Sequence, residues 1–346
     1  MNIIKLKIKK FHNHSFSSLL YGFLVLVSLA LVLFLNFVFL PGDLILVQKV
    51  LQNWDTTDPS LLAVKKGIWQ ICATIIAGIG LSIAAIASQS LTKNPLAEGS
   101  TLGLVQSSIF GIIFVLSFGF VGYLMKYIFA TIFSMIAALL IVLVIVTTRT
   151  KSNNKLILSG LAIGIIFKTL SFIFKIDDKS LESISFTYVL GGAEKISQNS
   201  MAVPENALFS TLVFSSILIA VALLLIIINI KSMNLLEVGD QKARNLGVKV
   251  KLSKSISVLA IILSIPASVI LVGNIAFLGL FSVHISRWLV NSRNYSKVLP
   301  MSVIVSTFIA SLGFQLTQHI PKVNSGLWMT FIGAPYLIFI GMRGLK

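Results

Sequence analysis

The chain has 346 residues, 56% of them hydrophobic and only 11% charged, against about 25% charged in an ordinary soluble domain. That leaves too little polar surface to coat a water-soluble globule, which excludes a soluble enzyme, a coiled coil and a disordered chain. The formal net charge of +17 would point to nucleic acid in a soluble protein, so its distribution along the chain has to be read first.

In chain order, a basic tail over 1–18 carries Lys5, Lys7, Lys9, Lys10, His12 and His14. Ten apolar segments follow, at about 19–40, 68–90, 100–120, 123–147, 156–176, 207–230, 255–273, 275–291, 299–317 and 326–342. A span takes about 20 apolar residues, and an isolated strand cannot satisfy its backbone in lipid. The predicted class is therefore an all-α polytopic membrane protein of about ten helices, with a single transmembrane domain over 19–346. No small-residue cleavage site follows 19–40, so that segment is expected to stay as the first span. The eighth segment is short and reads as a half-helix or a tilted span, and the boundary between the seventh and eighth segments is placed near Gly273.

Three hydrophilic stretches separate the spans: 41–67, 177–206 and 231–254. Within the second, Leu181 to Leu190 reads as a short surface helix ended by Gly191-Gly192. Trp54, Trp69, Trp288 and Trp328 fall near span ends, as interfacial tryptophans do.

With the N-terminus inside, the inner segments carry 19 of the 28 basic residues but only Glu98, Glu237 and Asp240 of the 11 acids. This is the asymmetry the positive-inside rule demands of a chain with both termini cytoplasmic. It accounts for the charge without nucleic acid, and it makes 41–67 and 177–206 outer loops and 231–254 a cytoplasmic one.

Catalytic chemistry finds no foothold. His12, His14, His284 and His319 have no carboxylate or thiol partner at metal-ligand spacing, and the single cysteine, Cys72, allows no intrachain disulfide. His284, inside an apolar helix, is expected to be a neutral, hydrogen-bonded residue. No phosphate-binding loop or nucleophile elbow occurs, so any ATP-driven function needs its nucleotide site on another chain. Gly99/Gly103 and Gly160/Gly164 are small-xxx-small pairs, expected to pack helices within the chain. Lys168 lies well inside the fifth span, where an ammonium costs about 3 kcal/mol on insertion scales. It either snorkels to the outer interface, with Lys175 on the same face, or lines a path for an anionic solute. In the inner loop, two helical turns fit between Gly239 and Gly247, with Asp240 as a start cap and Gly247 as a C-cap.

That loop, read as LLxxGDxxARxLGV from Leu235 to Val248, resembles the cytoplasmic coupling segment of the FecCD-type permeases. Other stretches are similar to the family in the same order. They are Gln89 with Lys93-Asn94-Pro95-Leu96-Ala97-Glu98 and Leu102-Gly103; Ser159-Gly160-Leu161-Ala162; Tyr188-Val189-Leu190-Gly191-Gly192; Gly273 to Leu280 with His284, Ile285 and Arg287; and Gly333-Ala334-Pro335-Tyr336. The resemblance implies the membrane subunit of a binding-protein-dependent ABC importer for iron–siderophore complexes, haem or cobalamin. It implies a dimer with a second permease subunit, two cytoplasmic ATPase subunits that bind ATP and Mg, an extracytoplasmic solute-binding protein, and no cofactor on this chain. On it, Glu237, Gly239, Asp240, Ala243, Arg244 and Gly247 belong to the ATPase-coupling segment, and Ser159 and Gly160 lie near the cytoplasmic gate. The family's outer RLPR motif is absent, the aligned positions being Gly67, Ile68, Trp69 and Gln70. Lys65 and Lys66, just upstream, are then expected to supply the cations that dock the binding protein. An iron–siderophore is the favoured solute. An ion-coupled secondary transporter is the alternative of another class, and it is disfavoured because all eleven acids fall outside the central parts of the spans.

Overall fold

A computed structural model describes residues 58–120, 122–148, 153–174, 179–192, 205–320 and 323–344, with a few isolated positions before 58. The predicted tail 1–18 and first span 19–40 lie outside the described residues. The described elements are all helices: α1 (Pro59–Thr92), α2 (Leu104–Ser117), α3 (Tyr123–Thr148), α4 (Asn153–Ile173), α5 (Lys179–Leu190), α6 (Glu205–Leu236), α7 (Asp240–Asn245), α8 (Val250–Val272), α9 (Leu278–Leu289), α10 (Tyr295–His319) and α11 (Ser325–Gly344). Each of the other nine predicted spans falls on one of these helices. Five of them, on α1, α3, α6, α8 and α10, are long and apolar enough to cross a bilayer unaided.

The bundle is organised around α1. Its span is 78% buried inside the protein, against 28% for that of α6, and α6, α8, α9 and α10 all pack on it. The sequence explains the contrast. The α1 surface is paved with Ala73, Ala77, Gly78, Gly80, Ala84, Ala85 and Ala87, so neighbouring backbones approach closely on several sides. The bulky residues of α6, such as Ile217, Leu224 and Ile228, are exposed, as suits a helix against lipid. A second group joins α2 to α3, α4 and α5, its interior filled by edge-on ring contacts of Phe110 with Phe133 and Phe174.

Buried serines replace aliphatic side chains at many contacts, and most are satisfied within their own helix. Ser268 donates to Ser264, and Ser286 to Ser282, one turn back. A few serines tie helices together: Ser82 of α1 donates to Ser302 of α10 at 2.9 Å, and Ser306 of α10 to the Gly78 carbonyl at 2.7 Å.

Three sequence expectations need correction. The inner loop 231–254 shrinks to residues 237–249, because the apolar spacing of Met233 and Leu236, both buried, carries α6 on to Leu236, and α8 begins at Val250. The outer loop 41–67 likewise loses its last nine residues to α1. Trp69 is not an interfacial anchor; it is buried and its Nε1 donates to the Leu208 carbonyl at 2.9 Å. Trp288, by contrast, is 78% exposed.

Candidate functional site: the basic end and the helix breaks above it

The hexapeptide α7 is too short to be stable alone, so its form depends on what holds it. It ends in a Schellman motif: Gly247 N–H donates to the Arg244 carbonyl and Val248 N–H to the Ala243 carbonyl, with Gly247 at φ +84°. This is the conformation for which glycine is the favoured C′ residue, and the predicted role of Gly247 is met. Beneath it, Ala243 is fully buried with Leu236 and Val250, flanked by Leu235 and Val248. The small Ala243 lets α7 lie flat on the ends of α6 and α8.

Asp240 does not cap the helix. The N-cap is Gly239, without a side-chain cap bond. Asp240 instead receives Lys93 Nζ on Oδ1 at 2.5 Å and Lys254 Nζ on Oδ2 at 2.6 Å. One carboxylate thus joins the end of α1, the first turn of α8 and α7. Partial burial alone would raise its pKa, but the hydrogen bonds and charges of Lys254 and Lys93 outweigh it and hold the carboxyl below its usual range.

Glu237 is exposed but is likewise tied to the end of the bundle. Its Oε1 accepts from the Tyr295 hydroxyl at 2.5 Å and lies 3.9 Å from Arg287 Nη2. The Arg287 guanidinium also stands 5.7 Å from the Tyr295 ring centre. Asn234 accepts from Tyr295 N–H at 2.8 Å and donates to Asn294 at 3.0 Å, and Asn294 caps α10 by accepting from Ser296 N–H. The ends of α6, α9 and α10 are bound into one polar unit. With both acids spent internally, α7 and its flanks present exposed Val238, Gln241, Lys242, Arg244 and Leu246 outward. The result is a cationic and apolar projection on a rigid base.

Above this end the bundle contains two broken helices. The 14 residues of α2 and the 12 of α9 give lengths of about 21 and 18 Å, short of the roughly 30 Å of a bilayer core. The break before α9 falls at the segment boundary placed near Gly273. Both helices start deep in the bundle. A Cβ on Gly279 would meet Ala85 and Leu81 of α1, which lie 7 and 11 residues before its end at Thr92, or about 10 to 16 Å along the axis.

Glu98 lies at this depth. It is 4% exposed, accepts from Phe277 N–H at 2.9 Å and Leu280 N–H at 3.1 Å, and also accepts from Ser100 Oγ. Phe277 is the N-cap position of α9 and has no side chain able to cap; Glu98 does the capping from 179 residues away. The expectation that every acid lies outside the central spans is therefore wrong for Glu98. Sequence reasoning missed its role because backbone amides leave no trace in the letters. The available signal was a helix start, Ile275-Ala276-Phe277, with none of the usual capping residues.

The predicted gate residues sit where α4 meets the start of α2. Gly160 is buried, and a Cβ there would lie 2.6 Å from Leu102 Cα and from the Thr101 carbonyl oxygen. Gly103, at φ +71°, faces Gly164 and the Gly160 carbonyl. Gly103 thus packs against Gly160 and Gly164 within the chain, as expected, while Gly99 faces Ile265 of α8. Ser159 is half-buried beside them.

Lys168 is exposed on α4 among exposed Leu161, Ile165 and Phe172, while Lys175 lies outside the described residues. The Lys65–Lys66 pair is split: Lys66 is exposed, but Lys65 is 7% exposed with interactions of its own. Lys65 cannot serve as a surface cation in this arrangement. His284 also departs from expectation: its Nδ1 is buried without a hydrogen-bond partner, and its ring stands edge-on to Tyr336 at 5.9 Å.

Several known proteins are similar to this chain in sequence. The iron(3+)-hydroxamate import system permease protein FhuG of Bacillus subtilis is 26% identical over 285 residues, covering 79% of this chain and 81% of its own. The hemin transport system permease protein HmuU of Yersinia pestis is 27% identical over 285 residues, covering 79% and 81%. The vitamin B12 import system permease protein BtuC of Photorhabdus laumondii is 26% identical over 289 residues, covering 80% and 82%. Among solved structures, a metal-chelate type ABC transporter in an inward-facing conformation superposes with a TM-score of 0.74 at 21% identity, over 93% of this chain and 99% of that one; at that identity the likeness speaks for the fold. The FecCD transport family model matches residues 23–343, and with nearly the whole chain matched, this multi-pass membrane protein belongs to the FecCD transport family.

Proposed function

We propose that the chain is the permease subunit of a binding-protein-dependent ABC importer, moving a chelated iron compound across the cell membrane with ATP hydrolysed on separate subunits. The observation that carries this reading is the state of α7. Asp240 of α7 is engaged by Lys93 and Lys254 and Glu237 just before it by Tyr295 and Arg287, while Lys242 and Arg244, with the flanking Val238 and Leu246, are left exposed. A short helix fixed at its base and exposed at its crown suits docking to a soluble motor.

In this reading the basic end is cytoplasmic, with both termini on that side. Two ATPase subunits holding ATP and Mg dock on two copies of α7, the second copy coming from a partner permease. The chain itself holds no cofactor. A solute-binding protein docks at the far end, where Lys66 is an exposed cation. Closure of the ATPases moves α7 as a rigid unit and rocks the bundles between outward and inward states. Haem and vitamin B12 are the second reading for the solute, favoured by the names of two of the relatives.

The test is co-purification of the ATPase with the permease from native membranes. Arg244→Glu combined with Leu246→Asp is expected to abolish it while leaving the permease folded and membrane-inserted; retained ATPase in that variant rules out α7 as the docking element. Uptake of labelled ferric hydroxamate, haem and cobalamin by the assembled system then separates the solutes. Lys168→Met probes the path: if this ammonium meets an anionic solute, uptake falls about tenfold or more, as for loss of one charged contact. Unchanged uptake assigns Lys168 to the lipid interface.

A further inference from the structure

The segment between α1 and α2 connects the two halves of the candidate site. Lys93, at its start, holds α7 through Asp240. Glu98, five residues on, caps α9 within the bundle. We propose that Glu98 is a positioning residue for transport: through the strap 93–98 it fixes the start of α9 to the position of α7, so that displacement of α7 reaches the helix break at 273–277. This rests on the reading of α7 as the ATPase-docking helix.

Three observations support it. The strap is short and internally braced, so it transmits displacement in place of stretching. The Asn94 side chain accepts from Leu96 N–H at 2.9 Å, and the Asn94 carbonyl accepts from Ala97 N–H at 3.2 Å. Pro95 fixes its own φ, and the Thr101 hydroxyl both accepts from Glu98 N–H and donates to its carbonyl. The grip on α9 is strong for its kind: a carboxylate taking two amides at a helix start is charge-assisted and favoured by the helix dipole. Losing it leaves those two amides without their carboxylate acceptor inside the bundle. Finally, the break is also held on its far side. Asn274 N–H donates to the Tyr188 carbonyl at 3.0 Å, and Gly192 N–H to the Val272 carbonyl at 2.6 Å; Gly191, Gly273 and Gly326 allow this close approach. A continuous set of bonds therefore runs from α7, through Lys93 and Glu98, to the start of α9 and on to the end of α5.

The first test uses the full-length permease in lipid nanodiscs, followed by hydrogen exchange over residues 275–281. Glu98→Gln is expected to speed exchange there by about tenfold or more, as for loss of a charged hydrogen bond, with partial rescue by Glu98→Asp. Lys93→Met, which touches neither amide and sits at the half-exposed end of the strap, is expected to speed the same peptide severalfold. If Lys93→Met exchanges as wild type while Glu98→Gln does not, Glu98 is a local cap and the linkage is overturned; wild-type exchange in both overturns it as well. Should Glu98→Gln fail to fold, Lys93→Met alone decides. The second test reassembles the permease with its ATPase subunits. Glu98→Gln is expected to keep ATPase docking and hydrolysis while solute accumulation falls at least tenfold, and undiminished accumulation overturns the proposal. If the wild-type permease recruits no ATPase, the docking reading of α7 fails, whereas the exchange measurement still decides the strap.

Discussion

Replacing Gly160 by alanine is expected to cost the protein much of its folded yield. One methyl group there would stand 2.6 Å from Leu102 Cα and from the Thr101 carbonyl oxygen. Both are backbone atoms, so no rotamer change relieves the clash, and forcing the helices apart costs about 1–3 kcal/mol. Gly103→Ala should be worse. Its Cβ would meet the Gly160 carbonyl and lie 2.7 Å from Gly164 N, and its φ is +71°, which adds about 1–2 kcal/mol for a residue with a Cβ. Against a total stability on the order of 5–15 kcal/mol, either change should lower the unfolding temperature in detergent by several degrees and reduce the membrane-inserted fraction. Gly122→Ala is the control, since nothing lies within 4 Å of its Cβ position. Equal behaviour of all three variants would show that the α2–α4 seam is not tightly packed.

Asp240→Lys is expected to leave the bundle folded and to abolish coupling. The two ion pairs it breaks are partly exposed, with Asp240 35% accessible, and such pairs contribute about 1 kcal/mol or less each to stability. The functional effect is larger because three ammonium groups would then converge at the base of α7 and push it off its seat. ATPase affinity should fall about a hundredfold or more, in line with the roughly 2–5 kcal/mol lost when a hydrogen-bonded charge pair is broken at an interface. A pull-down at matched expression measures it, and wild-type affinity would remove Asp240 from the coupling machinery. The acid dependence follows from the direction of its shift. A carboxyl whose pKa is depressed in the folded state contributes stability that is complete above the ordinary Asp value of about 3.9 and is lost only as pH falls through the lower folded value. Docking should therefore be indifferent to Asp240 titration between pH 5 and 8.

How much of this was legible in the sequence depends on the range of each interaction. The spans were legible because apolar length is a local property. Gly247 was legible because a left-handed C-cap is a local demand for glycine. Asp240 was read as a local cap and is a long-range counterion, its partner Lys93 lying 147 residues away. Cap and counterion call for the same carboxylate, so residue type alone does not choose between them. Trp69 and Lys65 were placed by proximity to a span end, but α1 is the central helix, and which face of a central helix is buried depends on neighbours from distant parts of the chain. Glu98 was legible as part of a motif, while its partners, two backbone amides, were not.

The buried serines of α9 carry one more consequence. Ser282 and Ser286 both spend their hydroxyls inside that helix, on the Gly279 and Ser282 carbonyls, so a small axial slip of α9 past α1 leaves those bonds intact. Its polar fixings lie at its two ends, Glu98 at the start and Arg287 near the finish. If the proposed strap displaces the start of α9, a helix bonded at its ends and free of side-chain bonds along its flanks would carry that displacement along its own length.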